Sequence, residues 1–163
     1  MSPLDVGDPY PSRIAEHHLV TLKSQTSKVL NDAIALLENG GVEDPIDQKI
    51  VLDAIELIKN PPEDLEEIKT HGTNIGAVVA GYYEQGNEPP PAIDAIHKYF
   101  WSLECINRLN FVEEKLEQGS EIMEEIELAM AIALKCATTL ADGYKDDSLL
   151  KAVNELRAIV ESL

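Results

Sequence analysis

The sequence predicts an all-α fold: a single-domain antiparallel bundle of about six helices. Apolar residues recur at steps of three and four along most of the chain, and helix-stop signals separate these stretches. No run alternates with the period of two that a half-buried strand requires. Short turns between successive helices then imply antiparallel neighbours. The domain is expected over residues 12–163, behind an extended leader, residues 1–11, that carries Pro3, Gly7, Pro9 and Pro11.

The first helix should start near Ser12, a suitable N-cap, and stop at Asn39-Gly40-Gly41. Ala15, Leu19, Leu22, Thr26, Val29, Ala33 and Leu36 form its inward seam. Asp44-Pro45 pairs a cap with a proline at the first helical position and opens the second helix, which runs to Lys59. Ile50, Val51, Ala54, Ile55 and Ile58 face inward there. Asn60-Pro61-Pro62 closes it and starts a third helix to Gln85, with Glu63, Asp64, Glu66 and Glu67 favourable against the helix dipole. Gly72, Gly76 and Gly81 weaken that helix, and the Gly72-Gly76-Ala80 stripe is read as a close approach to a neighbouring helix.

Residues 86–91 lead into a long fourth helix ending at Gln118-Gly119. Ser120 caps the fifth, with Ile122, Ile126, Ala129, Ala133, Cys136 and Leu140 on one face and Asp142-Gly143 at its end. Asp146 or Asp147 caps the sixth, which carries Leu149, Val153, Leu156 and Val160. Leu37–Gly40 and Leu140–Gly143 look alike, and are read as two uses of a common stop signal.

A formal charge of −17 opposes nucleic acid, which demands clustered cations, and opposes an anionic membrane surface. The apolar runs Ile75–Tyr83 and Leu128–Leu134 fall well short of the ~20 residues of a bilayer span. The start, Met1-Ser2-Pro3-Leu4-Asp5, lacks the pattern of a secretory signal. Cys105 and Cys136 lie on apolar helix faces without CxxC spacing and read as buried free thiols, so a cytoplasmic location is expected.

The densest acidic group is Glu113, Glu114, Glu117, Glu121, Glu124, Glu125 and Glu127, opposed only by Lys115. Glu113, Glu114 and Glu117 stand in the last turns of a helix, where the dipole disfavours anions. A local rule broken repeatedly at one place points to a binding surface. Tyr82, Tyr83 and Trp101 near one interhelical loop are the candidate apolar anchors; Tyr99 and Phe100 lie beside them. The expected role is therefore a non-catalytic acidic protein–protein interaction module, a regulator, adaptor or neutralising inhibitor of a more basic protein partner. Its candidate contacts are Glu113, Glu114, Glu117, Glu121, Glu124, Tyr82, Tyr83 and Trp101. No catalytic residue, metal or cofactor is expected in that role. Residues 12–37, at net +1 beside a strongly acidic remainder, suggest a homo-oligomer contact through residues 12–38.

Two other readings rest on resemblances. Glu113-Glu114-x-x-Glu117 resembles the first half of the metal motif of all-α nucleotide pyrophosphohydrolases, and implies a metal-dependent nucleotide or phosphate-ester hydrolase using the Glu113–Glu127 carboxylates. The second half of that motif, E-x-x-D, is missing. His71-Gly-Thr-Asn-Ile-Gly76-Ala77 resembles histidine phosphotransfer domains and implies a phosphate carried on His71, although Asn74 stands where that family has lysine. Arg13 and His18 match the loose spacing of helical ribonucleases at the wrong end of the chain; His17, His18 and His97 are read as structural or surface side chains.

Overall fold

In a computed structural model, residues 12–119 and 123–162 are described, and they contain helices and no strand. The helices are α1 (Ser12–Ser24), α2 (Thr26–Glu38), α3 (Pro45–Lys59), α4 (Leu65–Glu84), α5 (Pro91–Glu117), α6 (Met123–Tyr144) and α7 (Ser148–Glu161). The chain is an all-α helical bundle. The expected leader and the expected Ser120 cap lie outside the described residues.

The first expected helix is two segments, α1 and α2, separated at Gln25. Gln25 keeps right-handed angles, φ −92° and ψ −11°, and its carbonyl still accepts the Val29 N–H at 3.0 Å. Its neighbours Ser24, Thr26 and Ser27 are poor helix-interior residues whose hydroxyls compete with the backbone ladder. At the far end, α2 closes as expected. Gly40 takes φ +70° and donates to the Leu37 carbonyl, while Gly41 N–H reaches the Leu36 carbonyl at 2.8 Å, the two bonds of a Schellman turn.

Asp44 caps α3 by accepting the Ile46 N–H at 2.7 Å, with Pro45 first in the helix. The start of α4 differs from expectation. It opens at Leu65, where Asp64 accepts the Glu66 N–H at 2.9 Å, and Pro61-Pro62 stay outside. Proline disfavours helical angles in the residue before it, so the side-chain cap decides the boundary. The glycines do not break α4. The end of α6 also differs: Gly143 lies inside the helix, and Lys145 two residues later adopts the left-handed φ of +54°. For α7, Asp146 does the work of the cap, accepting the Ser148 N–H at 3.1 Å and its hydroxyl at 2.7 Å.

Among the described residues two compact units are distinguished: Lys23–Phe100, and residues 12–22 together with the described residues from Trp101 onward. In the first, α3 packs against α2 and α4. Val51, Ala54, Ile55 and Ile58 of α3 are buried as expected, with Val29, Ala33, Ile68, Ile75 and Val78. Gly72 and Gly76 face the first part of α5. A methyl placed on Gly72 would stand 3.4 Å from Phe100 Cβ, and one on Gly76 3.4 Å from His97 Nε2. The rising numbers on α4 meet falling numbers on α5, so the two strips run antiparallel. Tyr99, buried, shares a 3.1 Å hydroxyl–hydroxyl hydrogen bond with Thr26.

In the second unit α6 packs on α7. Ile126, Ala129, Ala133, Cys136 and Leu140 form the expected inward seam, and Leu149, Val153 and Leu156 are buried opposite them. Four ion pairs, Lys28–Asp32, Lys49–Asp53, Lys151–Asp147 and Arg157–Glu161, each join residues one turn apart on a single exposed helix face. Such pairs contribute roughly 0.3–0.5 kcal/mol at best.

Candidate interaction surface

The carboxylates singled out by sequence do not share one environment. Glu113 is buried, 1% exposed. Its Oε1 accepts the Ala15 N–H of α1 at 2.8 Å, while Oε2 has no hydrogen-bond partner. Burial pushes its carboxyl up to about 8, with the Ala15 N–H pulling the other way and Glu117 and Glu16 adding to the rise. Glu113 is thus a packed side chain, withdrawn from any surface a partner could reach. Helix phase explains this: it follows Ile106 by seven residues and Leu109 by four, on the buried stripe of α5. That phase was readable in the sequence, where the acidic neighbours concealed it.

Glu114, Glu117 and Glu124 are exposed. Glu114 accepts from Asn110 Nδ2 at 3.1 Å. Glu121 lies outside the described residues. Glu125 meets Lys115 at 3.7 Å, and the same ammonium stands 5.4 Å from the centre of the Phe111 ring. Removing Glu113 therefore leaves an exposed carboxylate set on α5 and α6.

The aromatics divide as well. Tyr99 and Phe100 are buried, in edge-to-face contact at 6.5 Å. Trp101 is half-buried, Tyr82 is half-buried, and Tyr83 is 58% exposed. Tyr82 lines a polar hollow of about 480 Å³ with Glu43, Asp44 and Asp47, and no lysine or arginine lines it. Burial raises the Tyr82 phenol, and then Asp47 and Glu43 raise it further. Asp47 is raised by burial and by Asp44.

A groove that sequence reasoning missed lies between α6 and the last turns of α7, with a volume of about 490 Å³. Met123, Met130, Ala131 and Leu134 line it from α6, and Val160 from α7. Glu127, Arg157 and Glu161 complete the lining, Arg157 being paired with Glu161 at 3.4 Å. The available signal was a second apolar stripe on α6. Met123, Met130 and Leu134 repeat at seven and four residues, beside the Ile126–Ala133 seam that the core uses. Leu128, 64% exposed, stands one turn from Glu124 on the outer side of the same helix.

The other sequence readings meet the following geometry. Among the described residues no group of three or more His, Cys, Asp or Glu side chains is gathered as for a metal ion. His71 is half-exposed on α4. His18 is lowered by burial and by His17, whose ring stands edge-on at 5.3 Å; Asp146 and Glu155 oppose that shift. Burial also lowers His97, with Asp94 opposing. Both thiols are free and buried. Cys105 donates to the Ala133 carbonyl at 3.5 Å, and burial with the Glu104 carboxylate pushes Cys136 up to about 12. Such thiols are poor nucleophiles and poor metal ligands. No described helix is long and apolar enough to cross a membrane. Compared with known proteins, the chain matches no family model, no curated protein and no solved structure.

Proposed function

We propose that this chain is a non-catalytic acidic interaction module that binds a more basic protein partner, in the manner of a regulator, adaptor or neutralising inhibitor. The observation that carries the reading is the exposed carboxylate set Glu114, Glu117, Glu124 and Glu127, whose nearby cations Lys115 and Arg157 are already engaged by Glu125 and Glu161. At a net charge of −17, such a face accelerates encounter with a cationic partner and repels anionic ones. Surface carboxylates alone contribute little affinity, so the contact also needs apolar anchors. A cytoplasmic setting suits the two free thiols.

The test is charge reversal on α5 and α6, Glu117→Lys with Glu124→Lys, read against a fluorescently labelled lysine-rich peptide at low and high salt. Circular dichroism would verify the helices. The variant should keep its helical signal and lose at least tenfold in affinity at about 50 mM salt, with the loss shrinking at higher salt. Unchanged binding by the folded variant would remove this surface from the function.

A further inference from the structure

The α6–α7 groove has a length, a floor and a charge, and together these select an occupant. Met123 and Leu134 stand at its two ends on α6, eleven residues apart, a rise of about 17 Å or three helical turns. Its floor is apolar, and the Met123 and Met130 thioethers adapt to irregular side chains. Its rim is acidic: Glu127 and Glu161 line it, and the one arginine there is held by Glu161 at 3.4 Å. Glu124, exposed on the turn before, extends that rim toward the carboxylates of α5. A second copy of this chain carries the same net charge of −17, which disfavours it at this acidic rim. An amphiphile with an anionic head meets Glu127 and Glu161.

We propose that the α6–α7 groove seats a basic amphipathic helix of a partner protein, about three turns long. Its apolar face lies against Met123, Met130, Leu134 and Val160, and its cationic edge meets Glu124, Glu127 and Glu161. This rests on the reading of the chain as an acidic interaction module, and supplies the apolar anchor that reading requires. The recognition mode is a helix laid into a groove, with affinity from the apolar face and register from the charges.

The chain offers a direct reporter, because its three methionines are Met1, Met123 and Met130. The experiment uses methyl-labelled protein and two synthetic fourteen-residue peptides of equal lysine content. One peptide carries leucines at helical spacing; in the other, glutamines replace them. The leucine peptide should shift the Met123 and Met130 methyl signals and bind at least tenfold more tightly than the glutamine peptide. Ala131→Trp fills the groove from an exposed position and should erase that tenfold advantage while leaving the glutamine peptide's binding unchanged. Val160→Gln on the opposite wall serves the same purpose if the tryptophan variant misfolds. Equal, salt-sensitive binding of both peptides without methyl shifts would overturn the groove and leave the acidic surface standing. Absence of salt-sensitive binding by either peptide would overturn both.

Discussion

The Ala15 N–H donates to Glu113 Oε1 at 2.8 Å, tying the first turn of α1 to the last turns of α5 across 98 residues. One oxygen of that carboxyl is satisfied and the other, equally buried, is not. The environment therefore favours the neutral acid. Glu16 on α1 and Glu117 on α5 both press in that direction, and only the Ala15 N–H opposes.

This arrangement makes stability depend on pH with a defined sign. The folded carboxyl titrates near 8 against an ordinary value of 4.5, so between these limits the native state holds more proton than the unfolded chain. Its contribution is full below pH 4.5, declines as pH rises, and is gone above 8. The slope is at most about 1.4 kcal/mol per pH unit. Glu113→Gln keeps an acceptor for Ala15 and removes the titration. Melting temperatures of the two proteins from pH 4 to 9 should diverge, with wild type falling relative to Glu113→Gln as pH rises. Parallel curves would refute this account of Glu113.

The end of α6 holds a residue in an unfavourable conformation. Lys145 sits at φ +54°, a region that costs a side-chain-bearing residue roughly 1 kcal/mol relative to glycine. Lys145→Gly should raise the melting temperature by ~2–4 °C, the shift that about 1 kcal/mol produces in a domain of this size. Gly143→Ala, within the helix and with open space for the added Cβ, should raise it too, through a stabilisation smaller than the ~1 kcal/mol of a helix centre. A thermal-denaturation series would show a loss instead if the left-handed position belonged to Gly143.

The α4 glycines should differ among themselves. Beside Gly72 a methyl would just touch Phe100 Cβ, whereas beside Gly81 nothing stands within 4 Å. Gly72→Ala should be close to neutral in urea denaturation, since helix propensity offsets the tight contact. Gly72→Leu should cost about 1–3 kcal/mol through overpacking. Gly81→Ala should gain up to ~1 kcal/mol. Equal tolerance of leucine and alanine at Gly72 would show that α4 and the first part of α5 do not approach this closely.

The two thiols should be silent in the native state. Cys105 and Cys136 are 0% and 1% exposed, and burial raises both above the ordinary thiol range. At pH 8, iodoacetamide should label neither over hours, and both within minutes in denaturant. Rapid native labelling at either position would mean that α5 and α6 open locally there.

Features written in short-range chemistry were legible in the sequence, and those needing a third dimension were not. Asp44-Pro45 announces α3 because cap and proline act within one turn. The Ile126–Leu140 seam announces the inward face of α6 because its period needs no partner to be read. The break at Gln25 carries no glycine or proline and hardly disturbs the backbone angles. Gly143 looked like a stop because the residue that turns the chain, Lys145, has no special local preference for it. Glu113 was hidden by company: a glutamate beside Glu114 reads as solvated until its phase with Leu109 is weighed. The groove escaped because it belongs to two helices at once, and neither stripe alone shows what the other leaves uncovered.

The one-turn ion pairs have a consequence for how salt acts. Each joins neighbours on one helix, so screening them loosens no helix from another, while the −17 charge repels itself throughout the molecule. Added electrolyte then removes more repulsion than attraction, and the folded chain gains. Ionic strength then pulls in two directions: the conditions that hold the fold together best are those in which the proposed grip on a cationic partner is weakest.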